Sequence, residues 1–367
     1  MIKVLVIFGT RPEAIKMAPL VKVLRVNPKI ECRVCITAQH RQMLDQVLSL
    51  FKIKPDYDLN IMERGQALSN ITVKALGGLE NIIQKVQPDL VLVHGDTTTT
   101  FAGALAAFYH RVAIGHVEAG LRTGDKYSPF PEEMNRQMVD CLADMYFTPT
   151  EESRQNLLAE NRPEADIYVT GNTVIDALRT TVRAGYTHPI LEWCRGSRLL
   201  LLTSHRRENL GQPMRNIFRA VNRITHEFSD VRVVYPVHLN PRVQKIAAEI
   251  LGKNKQVRLI EPLEVLDFHN FINAAYFILT DSGGIQEEAP GLGKPVLVLR
   301  DTTERPEGIA AGTLKLAGTD EEQIYRLSKE LLTDPKAYQK MSKASNPYGD
   351  GYASERIVKA IIRRFSG

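Results

Sequence analysis

Three acids occupy positions from which proton chemistry can be done. His94-Gly95-Asp96 closes one apolar run, His116-Val117-Glu118 closes the next, and Glu132 follows Pro131 at the start of a helix-like stretch. Carboxyl groups gathered at one edge can divide proton removal and delivery between them, and crowding or partial burial raises the pKa of some. The same side chains also have plain structural uses: Asp96 and Glu132 as helix-capping acids, Glu118 as a hydrogen-bond acceptor. His94, Asp96, His116 and Glu118 would in addition suit zinc or manganese. Bases and cations already supplied by these loops are sufficient for an elimination reaction, so neither a metal nor another cofactor is expected.

The second chemical feature is a seat for an anion. Thr280-Asp281-Ser282-Gly283-Gly284 follows an apolar run, Tyr276 to Leu279, and opens a helix. Paired glycines let the backbone approach a phosphate, and the helix start offers free N–H groups and the positive end of its dipole. Glu288, one turn in, sits badly beside a phosphate but well beside a ribose diol. Arg11 and Lys16 follow the first apolar run, His205 follows another, His238 a third, and Arg305 lies in the charged stretch Arg300 to Gly308. Arg11, Lys16, His205 and Arg305 are candidates for a pyrophosphate. The G-x-G-x-x-G fingerprint that would follow the first strand of a dinucleotide-binding protein is absent, which argues against nicotinamide chemistry.

These residues need strands to deliver them. Lys3–Phe8, Ile30–Thr37, Asp89–His94, Val112–Glu118, Met145–Thr148 and Ile167–Val169 read as buried parallel strands separated by helices such as 41–51 and 68–86. After a link at 185–198, the alternation restarts with runs at 199–202, 231–237, 257–260, 276–279 and 296–299. With 367 residues, the chain exceeds the usual size of a single core. The fold class is therefore α/β with two parallel sheets: residues 1–170 carry the acids, 171–350 the nucleotide seat, and 351–367 a last helix, capped by Ser354, that returns to the first domain.

Composition narrows the rest. The net charge of +5 is dispersed, with no basic track for nucleic acid, and no apolar run approaches membrane-spanning length. With no cleavable leader evident, a cytoplasmic location is expected. Four cysteines are too few for a disulfide framework, and Cys32 and Cys35, three apart on a strand, face opposite ways as buried thiols.

Taken together, 94–99, 116–122, 131–136, 203–209, 281–290 and 300–307 resemble the non-hydrolysing UDP-N-acetylglucosamine 2-epimerases, from Arg11 to the terminal helix. The resemblance implies two Rossmann-like domains facing a cleft in the glycosyltransferase-B arrangement, and a homodimer. It implies reversible interconversion of UDP-N-acetylglucosamine and UDP-N-acetylmannosamine through loss and re-addition of UDP. By position it places nucleotide contacts on Arg11, Lys16, His205, Phe268, Ser282, Gly283, Gly284, Glu288 and Arg305, and the acid/base work on Asp96, Glu118 and Glu132, with His205 assisting. Bacterial members also have a second, activating substrate site, which maps to Gln39, Gln42, Arg64, Glu132, Arg206 and His238. A glycosyltransferase of the same architecture, a hydrolysing epimerase and a nucleotide-sugar sensor are the competing readings.

Overall fold

The computed structural model describes residues 1–39, 41–63 and 65–366. It divides into two units: Met1–Thr180 together with Tyr348–Gly367, and Thr181–Pro347. The first is built on β1 (Ile2–Phe8), β2 (Ile30–Ile36), β3 (Tyr57–Asp58), β4 (Leu90–His94), β5 (Ala113–Val117), β6 (Met145–Thr148) and β7 (Ile167–Val169). All pair in parallel, in the order β3-β2-β1-β4-β5-β6-β7. The second has β8 (Arg198–Thr203), β9 (Val231–Pro236), β10 (Val257–Ile260), β11 (Phe277–Thr280), β12 (Val296–Val298) and β13 (Leu314–Leu316), again parallel, in the order β10-β9-β8-β11-β12-β13.

The strands are apolar on both faces because helices cover both. Val4 to Phe8 and Leu199 to Leu202 are at most 3% exposed, and each Leu, Ile, Val or Phe so buried contributes roughly 1.5–3 kcal/mol. In each sheet the chain order reverses once, between β1 and β4 and between β8 and β11. In open parallel sheets, ligands gather outside the C-terminal strand ends at such reversals. Residues 9–11 and 95–97 lie there in the first unit, and 204–209 and 281–284 in the second.

Several sequence expectations change. The edge strands β3 and β13 escaped notice because they are two and three residues long. The stretch at 185–198 is more than a link: Pro189–Trp193 is helical, begins at His188, and packs Tyr186, Ile190, Leu191 and Trp193 on the second unit's core. The last helix, Ala353–Phe365, is not capped by Ser354. Its leading N–H groups, from Ala353 and Ser354, donate to the carboxylate of Asp176 at 3.1 and 2.7 Å, satisfying donors that a helix start leaves open. This tie, with packing against helix Arg11–Val26, keeps the tail in the first unit. It also draws helix Thr173–Thr181 into that unit as far as Thr180, whereas the sequence suggested a boundary at 170/171. Among the described residues no helix is long and apolar enough to cross a membrane.

Candidate functional site

At the first unit's switch point, β4 and β5 end side by side, with His94 opposite Val117. Beyond them Gly95 (φ +68°) and Glu118 (φ +66°) both turn into the left-handed region. That conformation is costly for a glutamate, so its surroundings must fix it. They do: the Glu118 N–H donates to the Phe147 carbonyl at 3.0 Å and that of Gly95 to the Val117 carbonyl at 2.9 Å. The Glu118 carboxylate pairs with the Lys16 ammonium and accepts from Asn172 Nδ2 at 2.8 Å. A Cβ on Gly95 would lie 3.8 Å from Glu118 Oε1, so the carboxyl sits beneath the turn that carries Asp96.

Asp96 is half-buried and held by the Arg136 guanidinium at 2.5 Å, while Asn135 Nδ2 donates to its backbone carbonyl at 2.9 Å. Arg136 in turn leans on buried Glu133, 3.3 Å away, whose carboxylate accepts the Thr123 and Gly124 N–H groups. Glu132 is half-buried in the first turn of helix Glu132–Leu142. His116 lies beneath: its Nδ1 meets Asp140 Oδ1 at 2.6 Å and its Nε2 meets the Gly95 carbonyl at 2.8 Å. Burial alone would raise Asp140, but His116 and Arg122 more than offset it and hold the carboxyl below its ordinary value. Of the four side chains considered for a metal, His116 is committed to Asp140 and Gly95, Asp96 to Arg136, and Glu118 to Lys16 and Asn172.

Glu13 braces the loop after β1. Its buried carboxylate accepts the Gly9 and Thr10 N–H groups at 3.1 and 2.7 Å and the Thr97 and Thr100 hydroxyls at 2.9 and 3.1 Å. Burial pushes this carboxyl above its ordinary value, with those hydrogen bonds pulling the other way. Arg11 and Gln39 are half-buried, and Thr99 Oγ1 donates to Gln39 Oε1 at 3.1 Å. Gln42 is exposed on its helix; Arg64 lies outside the described residues.

In the second unit the buried acid is the organiser. Asp281 Oδ2 accepts the N–H groups of His205 (2.8 Å) and Arg206 (3.0 Å), Asn209 Nδ2 (3.0 Å) and the Ser204 hydroxyl (3.1 Å). His205 Nδ1 lies 3.2 Å from its other oxygen. Burial would raise this carboxyl, yet the His205 contacts and the backbone donors hold it below its usual range. His205 stacks on His238, ring centroids 5.5 Å apart.

Helix Gly283–Gly291 starts beside this cluster, with the Ser282 N–H tied to Thr280 Oγ1 at 3.0 Å. A Cβ on Gly283 would lie 3.8 Å from Arg206 Nη2 and 3.9 Å from Arg305 Nη2. Two guanidinium groups thus flank a glycine-led helix start, a ready anion seat. Arg305 is aimed by an ion pair with buried Glu287, and Arg206 by Glu304 at 3.5 Å. Glu288 Oε2 lies 3.7 Å from His269 Nε2, and its other oxygen 3.7 Å from a Cβ placed on Gly284. Phe268 is half-buried and packs on the second unit's core.

Within the first unit, Lys16, Asp96 and Glu118 are thus brought around one turn; within the second, His205, Arg206, His238, Ser282, Gly283 and Arg305 gather around Asp281. Arg206 and His238, mapped from sequence to a second substrate site, stand among the residues mapped to the nucleotide. The bracing acids Glu13, Glu133, Asp140 and Glu287 went unassigned. Only Glu13 had a local sign, the Thr-x-x-Glu capping box at 10–13.

Residues 22–362 match the family model described as UDP-N-acetylglucosamine 2-epimerase. A UDP-N-acetylglucosamine 2-epimerase of Bacillus subtilis is 65% identical over 361 residues, covering 98% of this chain and 95% of its own length. A solved structure from Listeria monocytogenes is 57% identical and superposes with a TM-score of 0.96, covering 100% of this chain and 97% of that one. A Neisseria meningitidis UDP-GlcNAc 2-epimerase, solved with UDP-GlcNAc bound, is 49% identical, with a TM-score of 0.88 and coverage of 99% and 100%. With both units matched end to end, the chain belongs to the UDP-N-acetylglucosamine 2-epimerase family.

Proposed function

We propose that the protein is an isomerase that interconverts UDP-N-acetylglucosamine and UDP-N-acetylmannosamine by eliminating and re-adding UDP. The observation that carries this is the pairing of chemistries: two acids, Asp96 and Glu118, at adjacent strand ends in one unit, and a glycine-led anion seat between Arg206 and Arg305 in the other. The C2 hydrogen of the sugar is too weakly acidic to be removed without help. A carboxylate takes that proton, the C2–H electrons become the C1=C2 double bond, and the C1–O bond breaks with UDP leaving. Return of a proton to the opposite face of C2, with the pyrophosphate oxygen rejoining C1, completes the inversion. Asp96, Glu118 and Glu132 share the proton transfers. Arg11, Lys16, His205, Arg305 and the helix start at Ser282–Gly284 stabilise the departing pyrophosphate, with Glu288 on the ribose and Phe268 beside the nucleotide. Retaining the glycal and UDP in the site makes the enzyme non-hydrolysing. A homodimer, and activation by substrate through Gln39, Gln42, Arg64, Glu132, Arg206 and His238, complete the proposal.

Incubation with UDP-N-acetylglucosamine alone tests it. The expected product is UDP-N-acetylmannosamine at equilibrium with its epimer. Accumulation of free N-acetylmannosamine and UDP would mean a hydrolysing enzyme, and no reaction without an acceptor would point to a transferase.

A further inference from the structure

His94 ends β4 with its carbonyl engaged and its ring idle. Its carbonyl accepts from Thr100 Oγ1 at 2.6 Å. The residue is 4% exposed, yet neither Nδ1 nor Nε2 has a hydrogen-bond partner. Buried polar atoms are almost always paired, and an unpaired one in a native fold calls for a reason. A leucine would fill similar space with nothing left unpaired. The ring nitrogen Nε2 stands 3.7 Å from Glu118 Oε2, just beyond hydrogen-bond range. That oxygen is taken from other sides by the Lys16 ammonium and by Asn172 Nδ2.

We propose that His94 is a positioning residue for Glu118: when an anionic group of the substrate draws Lys16 away, the carboxylate turns to Nε2–H, which then donates to Oε2. The exchange matters because the two donors differ in charge. An ammonium beside a carboxylate makes it a poor base; a neutral imidazole keeps the carboxylate oriented without that penalty. Burial pushes His94 down to about 3, so the ring is uncharged around neutral pH; Glu118 favours its protonation, while Lys16 and His116 oppose it. The inference rests on the assignment of Glu118 to proton transfer.

Four variants of the full chain test it: His94→Leu, His94→Gln, His94→Asn and Glu118→Gln, each followed by kcat, KM and Tm. The glutamine amide nitrogen reaches the place of Nε2, the asparagine one that of Nδ1. Expected for His94→Leu is an unchanged or higher Tm, kcat lower by roughly 10–100-fold and KM within about threefold, since a misaimed group costs on that order. Glutamine restores kcat and asparagine does not. Wild-type kcat in His94→Leu overturns the inference. So does rescue by asparagine alone, or a lowered Tm with all three His94 variants equally slow. Should Glu118→Gln retain full kcat, the assignment of Glu118 falls and the inference with it. Should Glu118→Gln be slow while His94→Leu is not, the inference alone fails.

Discussion

The first unit presents acids braced by cations; the second presents cations braced by acids. Asp96 is held by Arg136 and Glu118 by Lys16, whereas Arg305 is held by Glu287, and His205 and the Arg206 backbone by Asp281. Both arrangements occupy the same place, the reversal of strand order in a parallel sheet. The architecture therefore fixes where chemistry happens but leaves its sign to a few long-range pairs. In both units a deeply buried carboxylate knits the loops together, Glu13 in one and Asp281 in the other; burial raises both, and only at Asp281 do the surrounding donors overturn it.

That contrast can be broken by substitution. Asp96→Asn keeps the shape of an acid without its proton chemistry, so kcat should fall by on the order of 10²–10⁴-fold, with binding of the substrate, followed by calorimetry, little changed. Arg305→Ala should act on binding as well as on departure of the pyrophosphate: loss of a charge-assisted contact of about 1.5–3 kcal/mol lowers kcat/KM roughly 10–150-fold, with KM raised. Because Glu287 then keeps its burial without its cation, the second unit's Tm should drop as well. If Asp96→Asn weakened binding while Arg305→Ala left KM unchanged, the division of labour between the units would be contradicted.

Stability offers a milder contrast. A Cβ on Gly9 would lie 2.0 Å from Thr37 Oγ1 and 2.5 Å from Thr99 Oγ1, which are themselves bonded at 2.8 Å. Gly9→Ala should therefore cost about 1–3 kcal/mol through overpacking, visible in denaturant unfolding, and disturb the loop bearing Arg11. A tolerated alanine would mean that the two threonines can part freely. The smallest effect concerns pH. Glu13 is raised above 4.5 in the folded state, so the fold binds its proton more readily, and stability from this group grows as pH falls from neutral toward 4.5. Asp281 is depressed below 3.8; its contribution is complete above that value and is lost as pH falls through the lower folded-state value. Glu13→Gln should remove the first trend and Asp281→Asn the second in unfolding curves taken from pH 7 to about pH 3. Identical pH dependence in both variants would contradict the opposition between the two braces.

Much of the fold was legible because apolar runs announce buried parallel strands, and every one of those proposed from sequence forms. The rim residues followed, since whatever ends such a strand stands at the ligand edge. What stayed hidden is of another kind. Asp140, Glu133 and Glu287 sit within helices where nothing local marks an acid as a brace, and their partners lie up to 24 residues away, as His116 does from Asp140. The Asp176 tie to the last helix spans 178 residues. Ser354 looked like a cap because serine is a common one; tertiary contact with Asp176 supplied the acceptor instead. The idle ring of His94 is likewise a property of its neighbours, invisible in the tripeptide His94-Gly95-Asp96.

The most direct test of the account is proton NMR of the enzyme turning over UDP-N-acetylglucosamine in deuterated water. Removal and return of the C2 hydrogen predicts that the C2 signal is lost as both epimers take up deuterium, with no net release of UDP at equilibrium. Formation of the epimer with the original C2 hydrogen retained would contradict the elimination and the role given to the acids.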